Sequence, residues 1–108
     1  MHNMNKKRIA ILGSTGSIGI QALDIIRSRP ELFTAEVLTA ANNYKELIRQ
    51  AKEFVPDTVV IANEKHYKHV AEALYKLDIK VFAGEDAVAQ IASHSEVDMV
   101  LNALVGFA

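Results

Sequence analysis

Seven residues near the start of the chain have the types and the spacing to bind a phosphate group. They are Gly13-Ser-Thr-Gly16-Ser-Ile-Gly19, and they lie between a short apolar run and a segment whose apolar residues recur with helical spacing. Glycine permits a tight turn and a close approach of ligand to backbone, and a helix start offers unpaired N–H groups to an anion. We therefore predict phosphate or cofactor contacts from Gly13, Ser14, Thr15, Gly16, Ser17 and Ile18.

The spacing of the three glycines limits the chemistry of this turn. The pattern G-x-x-G-x-x-G is one residue longer between its first two glycines than the common dinucleotide fingerprint. A Walker P-loop is excluded because Gly19 is followed by Ile20 and Gln21 instead of a lysine and a hydroxyl residue. The turn also differs from the G-x-S-x-G elbow of serine hydrolases, and no base is identifiable, so we predict no catalytic residue. An unliganded strand-to-helix turn is the alternative.

The residues that follow the second predicted strand favour NADP over NAD. Sites that prefer NAD place an acidic residue there to bind the ribose hydroxyls. This chain has Ala41, Asn42 and Asn43 instead, and Glu36 lies too early in the strand. An acid would repel the 2′-phosphate of NADP, whereas amide N–H groups can donate to it. We therefore predict a 2′-phosphate site at residues 41–43. The nearby Lys45 and Arg49 would add positive charge beside that phosphate, but exposure to solvent explains these two residues equally well.

Composition excludes several other kinds of site and partner. The chain has no cysteine, and its histidines, His2, His66, His69 and His94, lack a third ligand at metal-site spacing. We predict no metal site in these residues. A net charge of -1 without a long basic run argues against nucleic acid. No apolar stretch reaches the roughly 18 residues that cross a bilayer, so we expect a cytoplasmic protein with no membrane partner.

Apolar runs and helical segments alternate along the whole chain. We predict strands at residues 8–12, 36–40, 58–62, 80–83 and 98–104, and helices at 17–28, 44–54, after 63 and at 85–92. Asn43 is the predicted N-cap of the second helix and Asn63 that of the third. The apolar spacing of the third helix predicts that it directs five residues inward, Tyr67, Val70, Ala71, Leu74 and Leu77. The alternation predicts a single α/β domain, residues 1–108, with a Rossmann-like, doubly wound parallel sheet of about five strands and helices on both faces.

Several stretches of the chain resemble the start of the 1-deoxy-D-xylulose 5-phosphate reductoisomerase family. The resemblance covers essentially the whole chain and follows the family in order and spacing. It is found at residues 9–19, at 22–26 with Pro30-Glu31 after them, at 38–43, at 54–56 and at 102–106.

The resemblance implies an NADPH-binding domain of a longer enzyme. That family converts 1-deoxy-D-xylulose 5-phosphate to 2-C-methyl-D-erythritol 4-phosphate in non-mevalonate isoprenoid synthesis, with NADPH and a divalent metal, Mg or Mn, as a homodimer. Thr15, Gly16, Ser17 and Ile18 would take the pyrophosphate contacts, and Ala41, Asn42 and Asn43 would surround the 2′-phosphate. Many relatives carry Gly-Lys-Asn or Gly-Ser-Asn at the latter three positions.

The resemblance also implies that the catalytic groups lie outside this sequence. The family's metal-binding acids, substrate-phosphate ligands and flexible loop follow the position where these 108 residues end. We therefore expect a fragment that binds NADPH without turning over the sugar phosphate. Two alternatives are the cofactor domain of another NADP-dependent enzyme of the semialdehyde dehydrogenase type, and a free-standing nucleotide-binding module.

Overall fold

The computed structural model describes residues 6–91, 93 and 96–104. Strands and helices alternate along this part of the chain. They are β1 (Lys7–Leu12), α1 (Ser17–Ser28), β2 (Phe33–Ala40), α2 (Tyr44–Phe54), β3 (Thr58–Ile61), a 3-10 turn (Glu64–His66), α3 (Tyr67–Ala73), β4 (Lys80–Ala83), α4 (Glu85–Ile91) and β5 (Met99–Asn102).

The strands form one parallel sheet in the order β4-β3-β2-β1-β5. The register aligns Leu12 with Thr39 on one side and with Asn102 on the other, so the carboxyl ends of the strands meet at one edge. The strand order reverses at β1, because β2 and β5 flank it on opposite sides. Doubly wound sheets bind ligands at such a point. The predicted Rossmann-like parallel sheet is confirmed.

The two faces of the sheet are covered unequally. Successive residues of a strand point to opposite faces, so Ile9 and Ile11 join one core whereas Ala10 and Leu12 join another. The larger core receives the buried side chains of three helices, Leu23 and Ile26 from α1, Leu47 and Ala51 from α2, and Val70 from α3. The smaller core receives Ile91 of α4. Helices therefore pack on both faces, as predicted, but three pack on one and α4 on the other.

Local signals fix both ends of α2. The Asn43 side chain accepts a hydrogen bond from the Glu46 N–H at 3.3 Å, which confirms Asn43 as the N-cap. At the other end the chain leaves the helix through Val55, which has a left-handed φ of 45° and precedes Pro56. Proline disfavours the helical conformation in the residue before it, so the helix ends here. The bounds of α1, α2 and β4 are those predicted.

Other parts of the sequence prediction need correction. β2 begins three residues early, at Phe33, and β5 is shorter than predicted because pairing with β1 covers only Met99–Asn102. Asn63 caps the 3-10 turn, accepting from the Lys65 N–H at 3.0 Å, and α3 starts after it. Tyr67 is the first residue of α3 and is 43% exposed instead of directed inward.

Three isoleucines of α1 are more exposed than their apolar character predicts. Ile18 is 47%, Ile20 41% and Ile25 57% exposed, while Leu23 and Ile26 are buried. A helix against a sheet buries a single stripe. Ile25 lies outside that stripe, and Ile18 lies in the first turn of α1, beside the glycine turn.

Candidate functional site

The glycine turn, residues 13–19, is hydrogen-bonded to the end of the neighbouring strand. The Gly13 N–H donates to the carbonyl oxygen of Thr39 at 3.1 Å and to its Oγ1 at 3.0 Å. The Ser14 N–H donates to the same carbonyl at 2.8 Å. Thr39 is buried and lies one residue before the end of β2. The turn is therefore fixed beside the loop at residues 41–43.

Two glycines of the turn are required by the backbone itself. Gly13 has a φ of 84°, in the left-handed region that side chains disfavour. A Cβ on Gly19 would lie 2.3 Å from the carbonyl oxygen of Gly13 and 2.6 Å from the Cα of Ser14. Gly19 therefore lets the first turn of α1 pack directly on the turn, as the last glycine of dinucleotide-binding turns does.

Gly16 has a different environment from the other two glycines. A Cβ there would contact only the Gly13 carbonyl oxygen at 3.8 Å, an ordinary van der Waals distance. Gly16 is exposed and is the N-cap of α1, with no side-chain cap. The Ile20 N–H donates to the carbonyl oxygen of Gly16 at 2.9 Å, which is the first hydrogen bond of the helix. The N–H groups of Ser17 and Ile18 come before it and have no acceptor within the helix. The helix start carries a positive partial charge and can bind an anion.

Ser14 is the most buried of the residues for which turn contacts are predicted. It is fully buried, and its hydroxyl donates to Oε1 of Gln50 at 2.6 Å. Gln50 Nε2 in turn donates to the Ser14 carbonyl at 3.0 Å. The Ser14 side chain is therefore directed towards α2 and away from the exposed edge of the turn, and a Ser14 contact with a ligand stays a prediction. Thr15 is half-buried, and Ser17 and Ile18 are exposed.

The loop after β2 presents amide N–H groups at the same edge of the sheet. Ala41, Asn42 and Asn43 are all exposed. Asn42 Oδ1 accepts from Nδ2 of Asn63 at 2.7 Å, and Asn43 Oδ1 accepts from the Glu46 N–H. Both carbonyl oxygens are thus used within the protein. Among the described residues neither Nδ2 has an acceptor, so each side chain keeps two donors for a ligand.

An apolar cavity of about 400 Å³ lies next to this loop. It is lined by the strand ends, by part of α4 and by Leu104, and its lining includes Leu12, Ala40, Ala41, Ala62 and Val88. Glu85 lines it too, and it also lines a smaller cavity with Asn42 and Asn63. Glu85 is thus an acidic group at this edge of the sheet that the sequence pattern did not place beside the loop.

The positive charges near the loop are largely engaged in ion pairs. Arg49 pairs with Glu46 at 2.7 Å and with Glu53 at 3.4 Å. The hydrogen bond from Arg49 lowers the pKa of Glu46, and that from Arg27 lowers the pKa of Glu53. Arg49 therefore has two carboxylates as partners. For Lys45, which is exposed at the start of α2, no pairing with an acid is found among the described residues.

Comparison with known proteins shows the family to which this chain belongs. The family model for 1-deoxy-D-xylulose 5-phosphate reductoisomerase matches residues 9–108. The chain belongs to this family. Reductoisomerases from Bacteroides thetaiotaomicron and Bacteroides fragilis are similar, with 58% identity over 103 residues and 52% over 108. They align with 95% and 100% of this chain but with 26% and 28% of their own length, so the chain spans about a quarter of these relatives.

Solved reductoisomerase structures share the fold. The enzyme from Zymomonas mobilis in complex with NADPH has a TM-score of 0.83 and 33% identity, covering 88% of this chain and 25% of that one. A reductoisomerase in complex with NADPH, fosmidomycin and magnesium has a TM-score of 0.87 and 33% identity, covering 93% of this chain and 25% of that one. The fold of the chain is that of the NADPH-binding part of the reductoisomerases.

Three residues that hold the glycine turn or the loop at residues 41–43 in place lie outside the set of predicted site residues. Thr39, Gln50 and Asn63 anchor the turn or the loop through hydrogen bonds of 3.0, 2.6 and 2.7 Å. Each lies far along the chain from its partner, and only the sheet order brings them together. One feature of the sequence could have indicated Gln50, because it is a polar residue beside Ala51 on the buried face of α2.

Aromatic rings stack beside the loop of this reductoisomerase domain. Tyr44 stacks on His66 with centroids 4.5 Å apart and on His69 at 4.9 Å.

His2 and His94 lie outside the described residues. No group of three or more potential metal ligands of the His, Cys, Asp or Glu type occurs in residues 6–91, 93 and 96–104. Over the same residues, no helix combines the length and the apolar character needed to cross a membrane.

Proposed function

We propose that the chain binds NADPH at the carboxyl edge of its sheet. One observation carries this proposal. The N–H groups at the start of α1 and the amide groups of Asn42 and Asn43 lie on adjacent segments, which the bonds from Gly13 and Ser14 to Thr39 hold together. A pyrophosphate and a 2′-phosphate are two separate anions in one ligand, and two adjacent groups of donors can bind them.

Each part of the ligand has residues that would hold it. Thr15, Gly16, Ser17 and Ile18 would bind the pyrophosphate, because Gly16 leaves open space beside the helix start. Ala41, Asn42 and Asn43 would surround the 2′-phosphate through the free Nδ2 groups. Gly13 would hold the turn in place through its hydrogen bonds to Thr39. The apolar cavity would receive the adenine ring, with Glu85 at its rim.

We further propose that the chain contributes this domain to a complete reductoisomerase. NADPH supplies a hydride when bound, and the reaction would convert 1-deoxy-D-xylulose 5-phosphate to 2-C-methyl-D-erythritol 4-phosphate with Mg or Mn. Because the chain spans about a quarter of its relatives, we expect these 108 residues alone to bind NADPH without turnover. We propose a cytoplasmic homodimer as the whole protein, with no nucleic-acid or membrane partner.

Calorimetric titration with NADPH and NADH tests the cofactor assignment. We expect tighter binding of NADPH, since only NADPH carries the phosphate that the loop amides can bind. Asn42→Asp keeps the shape of the side chain and its Oδ1 acceptor for Asn63, but replaces the donors with a negative charge. The variant should lose about tenfold in NADPH affinity, roughly the value of one charge-assisted hydrogen bond, and retain its affinity for NADH.

Gln90→Glu is the matched control, because it adds the same charge on the exposed end of α4 away from the loop. It should leave the ratio of the two affinities unchanged. Equal affinity of the unaltered chain for NADPH and NADH would refute the 2′-phosphate site. Oxidation of NADPH in the presence of the sugar phosphate and Mg²⁺ would show that the catalytic groups lie within these residues.

A further inference from the structure

The buried contact between Gln50 and Ser14 lies outside the set of groups that would touch the nucleotide. We propose that Gln50 is a positioning residue that holds the glycine turn at a fixed place relative to the loop at residues 41–43. This inference rests on the proposed NADPH site and adds a residue of α2 that the ligand itself does not contact. Through it, α2 would set the distance between the two phosphate-binding segments.

Every polar atom of the Gln50 side chain has a partner within the protein. Oε1 accepts from the Ser14 hydroxyl at 2.6 Å, and Nε2 donates to the Ser14 carbonyl at 3.0 Å and to Glu46 Oε2 at 3.3 Å. Both Gln50 and Ser14 are fully buried. The two residues thus form a reciprocal pair in which each donates to the other. Such a pair fixes one orientation, which an apolar contact of the same size would not.

The position of Gln50 on α2 is otherwise suited to an apolar residue. Its neighbours on the buried face are Leu47 and Ala51, which pack in the main core. Burial of an amide is favourable only when its hydrogen bonds are satisfied, so a polar residue here depends on the turn being in place. A methionine or leucine would pack at this site without that dependence. The glutamine therefore fixes the orientation of the glycine turn relative to α2, which is not needed for packing of the helix alone.

The same helix is anchored in the loop that would bind the 2′-phosphate. Asn43 caps α2 through the Glu46 N–H, and Glu46 also accepts from Gln50. One rigid helix of eleven residues, Tyr44–Phe54, thus connects the loop at its first turn to the glycine turn at its second. Ser14 directly precedes Thr15 and Gly16, whose surroundings would hold the pyrophosphate. Loss of the Gln50 bonds would release that turn from α2, leaving only its bonds to Thr39.

Gln50→Met tests the role of the amide, because methionine has a similar length and no hydrogen bonds to make. We expect its NADPH affinity to fall about tenfold, the effect of losing net hydrogen bonds of roughly 1 kcal/mol each. Its NADH affinity should fall less, since NADH does not bridge the turn and the 2′-phosphate segment. Leu47→Met, on the same buried face but without a bond to the turn, should leave the ratio of NADPH to NADH affinity unchanged.

Ser14→Ala provides a second variant, because alanine fits the same site and removes the hydroxyl that donates to Gln50. Its effect on NADPH affinity should not add to that of Gln50→Met in the double variant, since both remove one pair. If the Gln50 variant is unfolded, Ser14→Ala alone should reproduce the change in the affinity ratio. Equal ratios in the unaltered chain and both folded variants would overturn the positioning role.

Amide hydrogen exchange in the free chain separates this inference from the proposed function. Gln50→Met should accelerate exchange of the Ser14 N–H, which donates to Thr39, about tenfold over its rate in Leu47→Met. Failure of the unaltered chain to bind NADPH would refute the proposed function alone. Unchanged exchange at Ser14 in a chain that binds NADPH would refute the role of Gln50 alone, as equal affinity ratios would.

Discussion

Gly16 and Gly19 lie three residues apart in the same turn, yet their missing side chains matter for different reasons. Gly16→Val would place a side chain in open space beside the helix start, where a pyrophosphate would lie. We expect the variant to remain folded, with a melting temperature within a few degrees of the original, and to lose at least tenfold in NADPH affinity. Thermal unfolding and calorimetry measure the two effects. An unchanged affinity in the folded variant would remove the turn from the site.

Gly19→Ala is the natural comparison at the residue scale. Its Cβ would overlap the Gly13 carbonyl oxygen and the Ser14 backbone, and neither backbone atom can rotate away. We expect this smaller substitution to destabilise the fold by about 1–3 kcal/mol, the usual cost of overpacking. Denaturant unfolding of the two variants side by side should show the larger loss in Gly19→Ala. The opposite order would show that α1 can shift away from the turn.

At the scale of the element, the end of α2 holds a backbone conformation that its residue type disfavours. Val55 has a left-handed φ of 45° and is 53% exposed. Burial of its side chain therefore contributes little to offset the free-energy cost of that backbone conformation. A left-handed residue other than glycine costs roughly 1–2 kcal/mol. Val55→Gly should therefore stabilise the chain by about 0.5–1 kcal/mol after the entropy of glycine is subtracted.

Chemical unfolding measures this effect, and Val55→Ala is the control because it shortens the side chain while keeping the Cβ. The alanine variant should show no comparable gain. Equal stabilisation by alanine would assign the effect to the side chain of Val55 and contradict the backbone explanation.

The elements that could be predicted from the sequence are those with a local cause. Asn43 and the Pro56 break define α2, and the turn itself is recognisable between β1 and α1, because these signals act within a few residues. The burial of Ser14 could not be predicted, since it depends on Gln50, 36 positions away. The position of Glu85 beside the loop could not be predicted for the same reason, as only the assembled sheet brings α4 to the loop. Tyr67 is exposed although Val70 and Leu74 are buried as predicted, because it is the first residue of α3, at the edge of the buried stripe.

For the whole molecule, surface ion pairs make stability depend on pH. Arg27 connects α1 to Glu53 of α2, and Arg8 connects β1 to Asp98 before β5. These partners lower the pKa of Glu53 below its ordinary 4.5 and that of Asp98 below 3.8. A carboxylate with a lowered pKa stabilises the fold above its ordinary value, and that contribution is lost as the pH falls through the folded value.

We therefore expect the melting temperature to be nearly constant from pH 8 to pH 6, and to fall as the pH drops below about 4.5. Thermal unfolding monitored by circular dichroism across this range measures the change. The dependence should be weaker at high salt because exposed pairs are screened. Glu53→Gln should melt lower at neutral pH and lose less on acidification. A Glu53→Gln curve parallel to the original would contradict this account.

The stacked rings beside the loop at residues 41–43 provide a probe of the proposed site by nuclear magnetic resonance. Tyr44 follows Asn43 directly in the chain, and its ring lies within 5 Å of the His66 and His69 rings, measured between centroids. Protons held over an aromatic face are shielded by its ring current, so the imidazole signals of these histidines should appear upfield in a proton spectrum. A ligand that bound at Asn43 and tilted Tyr44 would move both signals together. Binding of the ligand would then be visible in the unlabelled protein through two resonances, one from the 3-10 turn and one from α3, neither of which belongs to a proposed donor.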